Sequence, residues 1–147
     1  MIKKDLSKVT GTVNVVVKGE DGSIKQEFTV PNLVVDDGLE YIASRMKDAS
    51  ATAMSHMAVG TGSVAADAAD ATLGTENARV ALTSTTVTAN AIAYVATFEA
   101  GTGTGALTEA GILNASSAGT LLCRTVFSVI NKGASDSMTV TWTVTIS

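Results

Sequence analysis

The clearest pattern along the chain is the alternation near its end. Met138, Val140, Trp142, Val144 and Ile146 alternate with Thr139, Thr141, Thr143 and Thr145. A period of two places one set on a dry face and the other on a wet one. The segment therefore predicts a half-buried strand, with Val140, Trp142 and Val144 in the core. Similar reasoning puts Tyr94 of AIAYVATFEA and Phe127 of TLLCRTVFSVI in the core.

Other runs read the same way. TVNVVVK (12–18) and IKQEFTV (24–30) flank GEDGS, whose Asp-Gly pair is a turn signal, and predict a β-hairpin. Pro31 closes its second strand, because proline cannot donate to a ladder. MAVGTG (57–62) reads as a short strand running into a glycine turn. ARVAL, TSTTVT and LTEAGIL also read as strands, while SVAADAADATLG fits a loop or a short helix equally well. About seven or eight strands result.

One segment, residues 37–47, changes period. Leu39, Ile42, Ala43 and Met46 recur at helical spacing, predicting one short α-helix with that apolar face turned inward. Asp37 is the expected cap, with Glu40 as its capping-box partner. Arg45 and Lys47 suit the negative end of the helix dipole. The expected fold is mainly β, a single antiparallel sandwich domain of jelly-roll or Greek-key type over residues 1–147, with residues 1–8 as an N-terminal arm.

Composition narrows the function. Of 147 residues, 16% are charged, against about a quarter in typical domains. So sparse a charge suggests that copies of the chain cover part of its surface. The net charge of −4 and the scattered lysines and arginines argue against nucleic-acid binding. No apolar run approaches the roughly 20 residues that span a bilayer, so no membrane partner is expected. The N-terminus MIKKDLSK has no apolar stretch after it and does not read as a signal peptide. A single cysteine, Cys123, fits assembly in a cytoplasm.

Candidate chemistry is sparse. A phosphate loop needs a fixed glycine spacing ending in Lys-Ser/Thr, or a third glycine that VGTGS lacks at Ala65; GTGTG leads into a strand. Both read as turns. A Cys123–His56 dyad would need a reactive thiol, whereas Cys123 lies in an apolar strand and reads as inert. Asp67 and Asp70, with Glu76 and Glu99, lack the alternating ligands of a calcium loop and read as solvated. No catalytic residue, metal ligand or cofactor site is expected, and the chain is not expected to be an enzyme.

Two arginines matter more. Arg79 and Arg124 occupy strand positions among apolar neighbours, where a charge needs a partner. Glu76 and Glu109 are the expected partners.

The order of four segments resembles a family of small bacteriophage virion structural proteins, tail-fibre-like or minor structural. NLVVDDGLEYIASRM, MAVGTGS with ATLGTENARVAL, LTEAGILNASSAGTLLCRTVF and KGASDSMTVTWTVTIS carry the resemblance. It implies a non-enzymatic virion subunit whose partners are further copies of itself and the major capsid protein or tail proteins, with assembly in the host cytoplasm. The absence of a long repetitive shaft favours a capsid decoration (cement) subunit, taken as a homotrimer, with Lys3, Lys4 and Lys8 facing the shell. The alternative is a small tail-fibre, neck or baseplate protein. A carbohydrate-binding module ranks lower, because Trp142 and Tyr94, its stacking candidates, sit in core-like positions.

Overall fold

Gly22 turns the first hairpin. Its φ of +83° suits a glycine, and its N–H donates to the Gly19 carbonyl at 3.0 Å. Asp21 fixes the same turn, accepting from the Ser23 N–H at 3.0 Å. The turn joins β1 (Val9–Lys18) to β2 (Ile24–Pro31). The structure, a computed structural model, describes residues 8–48 and 50–147. Lys3 and Lys4 lie outside the described residues. Lys8, placed in the expected arm, is tied to the far end of the chain: its N–H donates to Ser147 O at 2.7 Å, and its carbonyl accepts from Ser147 N at 2.9 Å.

After β2 come β3 (Leu33–Val34), α1 (Asp36–Lys47), β4 (His56–Gly60), β5 (Glu76–Ala81) and β6 (Ser84–Thr88). Then follow β7 (Ala91–Phe98), β8 (Gly105–Leu113), β9 (Leu121–Lys132) and β10 (Ser137–Ile146). Ten strands thus form among the described residues, more than the sequence pattern separates; β3, at two residues, is too short to show a period. The segment left open between loop and helix, residues 63–74, is a loop.

The strands make two five-stranded antiparallel sheets, ordered β2-β1-β10-β7-β6 and β3-β9-β8-β4-β5. The protein is mainly β, a sandwich with one short helix among the described residues. Pairings nest: β1 with β10, β3 with β9, β4 with β8. The core lies between the sheets. Val13, Val15, Tyr94, Phe98, Val140, Trp142 and Val144 from one sheet meet Met57, Val59, Leu107, Ile112 and Ile130 from the other. Trp142 is fully buried and Tyr94 nearly so. Phe127 is a correction: it is only half-buried, packing on the rim against Phe28 with ring centroids 5.7 Å apart. It sits where β9 bulges against β8, between Ile130 and Val126, which breaks the inward alternation.

The outer face of the second sheet is covered too. Loop 61–75 lies on it and brings Leu73 into a small cluster with Ala58, Leu113, Leu121 and Val35. Strands β4, β8 and the start of β9 are therefore buried on both faces, so their sequences show no alternation of wet and dry positions.

The helix differs from expectation at its cap and its face. Val35, not Asp37, is the N-cap, and no side chain caps it; Asp36 and Asp37 fall in the first turn, where their charge still favours the dipole. Leu39 is 46% exposed and Met46 84%. The buried position is Gly38, because a methyl group there would meet the Leu122 carbonyl oxygen at 2.1 Å. The missing side chain lets the helix backbone rest directly on β9, and Tyr41 and Ile42 follow it towards the core.

Candidate interaction surface

Three charge clusters tie down the loops around the sandwich, two of them centred on buried groups, Glu109 with Arg124 and Lys132 with Asp136. The largest centres on Glu109, on the outer face of β8 beneath loop 61–75. Its Oε1 accepts from Gly74 N–H at 2.7 Å and Arg124 Nε at 3.1 Å; its Oε2 accepts from Gly62 N–H at 2.6 Å and Thr75 N–H at 2.7 Å. Arg124 also donates from Nη1 to Asp70 Oδ2 at 2.9 Å and from Nη2 to Val64 O at 3.1 Å. Burial alone would raise the Glu109 carboxyl; the N–H donors of Thr75, Gly74 and Gly62 and the Arg124 guanidinium reverse this and hold it below the usual carboxylate range. A Cβ at Gly62 would lie 2.3 Å from Glu109 Oε2, so any larger residue there would push the carboxylate off its donors.

The structure thus brings Glu109 and Arg124 together, with side chains 0% and 3% exposed. Asp70 corrects the solvated-loop expectation, for its carboxylate is a second partner of Arg124. The glycine loop VGTGS binds an anion after all, but the anion is the chain's own Glu109.

Arg79 and Glu76 form the second cluster. Arg79 Nη2 is 2.6 Å from Glu76 Oε1, and Nη1 donates to Ala115 O at 2.9 Å and Ala118 O at 2.8 Å, fastening the β8–β9 loop. The third cluster carried no sequence signal. Lys132 is 1% exposed and donates to Glu99 O at 3.0 Å and Asp136 O at 2.7 Å. Asp136 accepts from Lys25 and from Gly133 N–H, which hold its carboxyl below the usual range.

None of these clusters leaves a reactive group in open space. His56 Nδ1 lies 2.7 Å from Ser55 Oγ, and β8 separates its strand from that of Cys123, so the dyad is not assembled. Burial pushes the Cys123 thiol up. GTGTG is a turn, with positive φ at Gly101, Gly103 and Gly105. Trp142 is fully buried and Tyr94 only 6% exposed, which leaves little ring surface for a sugar to stack on. No group of three or more His, Cys, Asp and Glu side chains that could hold a metal lies among the described residues. No helix there is long and apolar enough to cross a membrane.

What the surface does offer is an apolar groove of about 360 Å³ between α1 and the first sheet. Its floor is the inward face of β7 and β10 beyond the cover of α1: Ile92, Tyr94, Val144 and Ile146. Its walls are Tyr41, Ile42 and Met46 from α1 and Thr85 and Val87 from β6. Burial, with the neighbouring Tyr41 and Cys123, pushes the Tyr94 hydroxyl up to about 12, as befits a ring facing hydrocarbon. Met46, Val87 and Ile146 at its rim are 84%, 68% and 48% exposed. Apolar side chains gathered around one groove mark a contact surface more than scattered ones would. The sequence assigned Met46 and Ile146 to buried faces and did not mark the groove.

Comparison with protein-family models, with curated proteins and with solved structures finds no match to this chain.

Proposed function

We propose that the chain is a non-enzymatic structural subunit of a bacteriophage virion that works by self-association, placed on the capsid as a decoration or cement subunit. The apolar rim of the groove, Met46, Val87 and Ile146, carries the self-association: these groups favour a covered state. The low charged fraction and the three loop-fixing clusters support it, since a subunit on a lattice gains from a surface of fixed shape. The order of the four resembling segments supports the virion. Contacts of standard size bury about 800 Å² per partner, and many of them on one shell act together through multivalency.

Co-sedimentation of the purified protein with expanded capsids that lack it tests this reading. Saturable binding in many copies per shell, with a gain in the shell's heat stability, is the expected result. Absence of binding moves the chain to the tail, neck or baseplate.

A further inference from the structure

We propose that β6 is the edge through which this chain pairs with a second copy of itself, strand to antiparallel strand, about a twofold axis through Thr86. This deepens the self-association proposed above and rests on that part of it alone.

A two-sheet sandwich has four edge strands, and each is a hazard unless blunted. Three are blunted here. β2 carries Lys25 and Glu27, ends in Pro31 and has a register break against β1. β3 has two residues. β5 carries Glu76 and Arg79 and a register break against β4. β6 has no such device. Its sequence, STTVT, contains no charge and no proline; it pairs with β7 in unbroken register, and all five residues are exposed. Its outer side pairs with no strand among the described residues.

The lack of charge also selects the partner. With a net charge of −4, two copies repel, so a shared edge must avoid like charges. No charged residue lies between Arg79 and Glu99, the stretch that holds β6, β7 and their turn. This edge can therefore meet itself without repulsion.

The pairing is also self-complementary. About Thr86, Ser84 faces Thr88 of the second copy, Thr85 faces Val87, and Thr86 faces its own equivalent. Thr–Thr and Ser–Thr pairs are favourable neighbours across strands, and Thr85 and Val87 are both β-branched residues suited to a strand. The twofold axis stands perpendicular to the sheet, so both inward faces lie on one side. Thr85 and Val87, which wall the groove, then lie at the seam, and the two grooves meet across it. Two five-stranded sheets become one of ten strands. Such an isologous contact yields pairs. A threefold assembly cannot set β6 against itself, so pairs replace the three copies expected from the sequence.

Sedimentation velocity on the full chain, from micromolar to submillimolar, tests the edge. The wild type is expected to run at twice the chain mass. Thr86→Lys and Thr86→Glu each set like charges face to face, weakening the dissociation constant about tenfold or more. An equimolar mixture of the two variants restores pairing, because opposite charges then meet. Circular dichroism melts show whether each variant alone is folded. A wild type that stays at one chain mass, one that runs at three, or a folded Thr86→Lys that pairs like wild type overturns the proposal. Paired wild type that does not bind capsids refutes the capsid placement and leaves the edge standing.

Discussion

Arg124 Nη2 lies 3.0 Å from Glu109 Oε1, and neither side chain reaches solvent. Two strands of one sheet place them side by side, and a loop from elsewhere in the chain closes over them. The pair is less a bond between β8 and β9, already joined by their ladder, than an anchor for residues 61–75.

Removing one partner strands the other. Arg124→Ala leaves Glu109 charged beneath the loop without its guanidinium, leaves Asp70 with only the Asp67 N–H on Oδ2, and takes the Arg124 donor from the Val64 carbonyl. The expected loss is about 3 kcal/mol, lowering the melting temperature by about 10 °C. Hydrogen exchange at Gly62, Gly74 and Thr75 should speed up before that of the β8–β9 ladder. A melting temperature equal to wild type refutes the anchoring role.

Acid should act through the same site. The folded Glu109 carboxyl titrates below its unfolded value of about 4.3. A lowered folded value contributes stability that is present above the unfolded pKa and is lost as pH falls through the folded one. Asp136 has the same sign. Urea midpoints should hold steady from pH 7 to about 5 and then fall. Glu109→Gln, already weaker at neutral pH, should lose less on acidification. Parallel curves for the two proteins would assign the acid response to other carboxylates.

Gly38→Ala reverses the usual rule. Glycine inside a helix is ordinarily about 0.5–1 kcal/mol worse than alanine. Here the new methyl would collide with the Leu122 carbonyl oxygen, and backbone cannot swing aside. A loss of about 1–3 kcal/mol is expected, as for other overpacked contacts. A variant that melts higher than wild type would show that the helix does not rest on β9 at this point.

Cys123 should be silent in the folded protein. It is 0% exposed, and burial keeps its thiol protonated. Labelling with a thiol reagent should follow unfolding, slow in buffer and immediate in denaturant. Rapid labelling of native protein would contradict that burial.

Legibility along the sequence followed the wetness of each strand face. β10 was plain, because its threonines face solvent and its apolar residues face the core. β8 and β9 gave strands but hid their depth, since loop 61–75 buries a second face that no local pattern announces. The partners of Arg79 and Arg124 could be named because charges in apolar runs are conspicuous. Asp70 could not, for its link to Arg124 spans 54 residues and its alanine-rich surroundings look solvated. Lys132 ends an apolar run as an ordinary boundary lysine would, and only the return of Glu99 and Asp136 buries it. Helical spacing found α1 but misjudged its face, because the contact is made by a residue without a side chain.

The adjacency of β1 and β10 has a kinetic side. Val9 pairs with Ile146, so the first sheet closes only when these two distant residues meet. Closing so long a loop carries a large entropic cost and slows folding, whereas the β8–β9 hairpin is local. The second sheet can therefore organise early, and the first is zipped last by the strand that carries Trp142. Tryptophan fluorescence should thus report the final event. A circular permutant that links Ser147 to Lys8 and opens the Gly101–Gly105 turn would make β10 and β1 neighbours along the chain and fold faster.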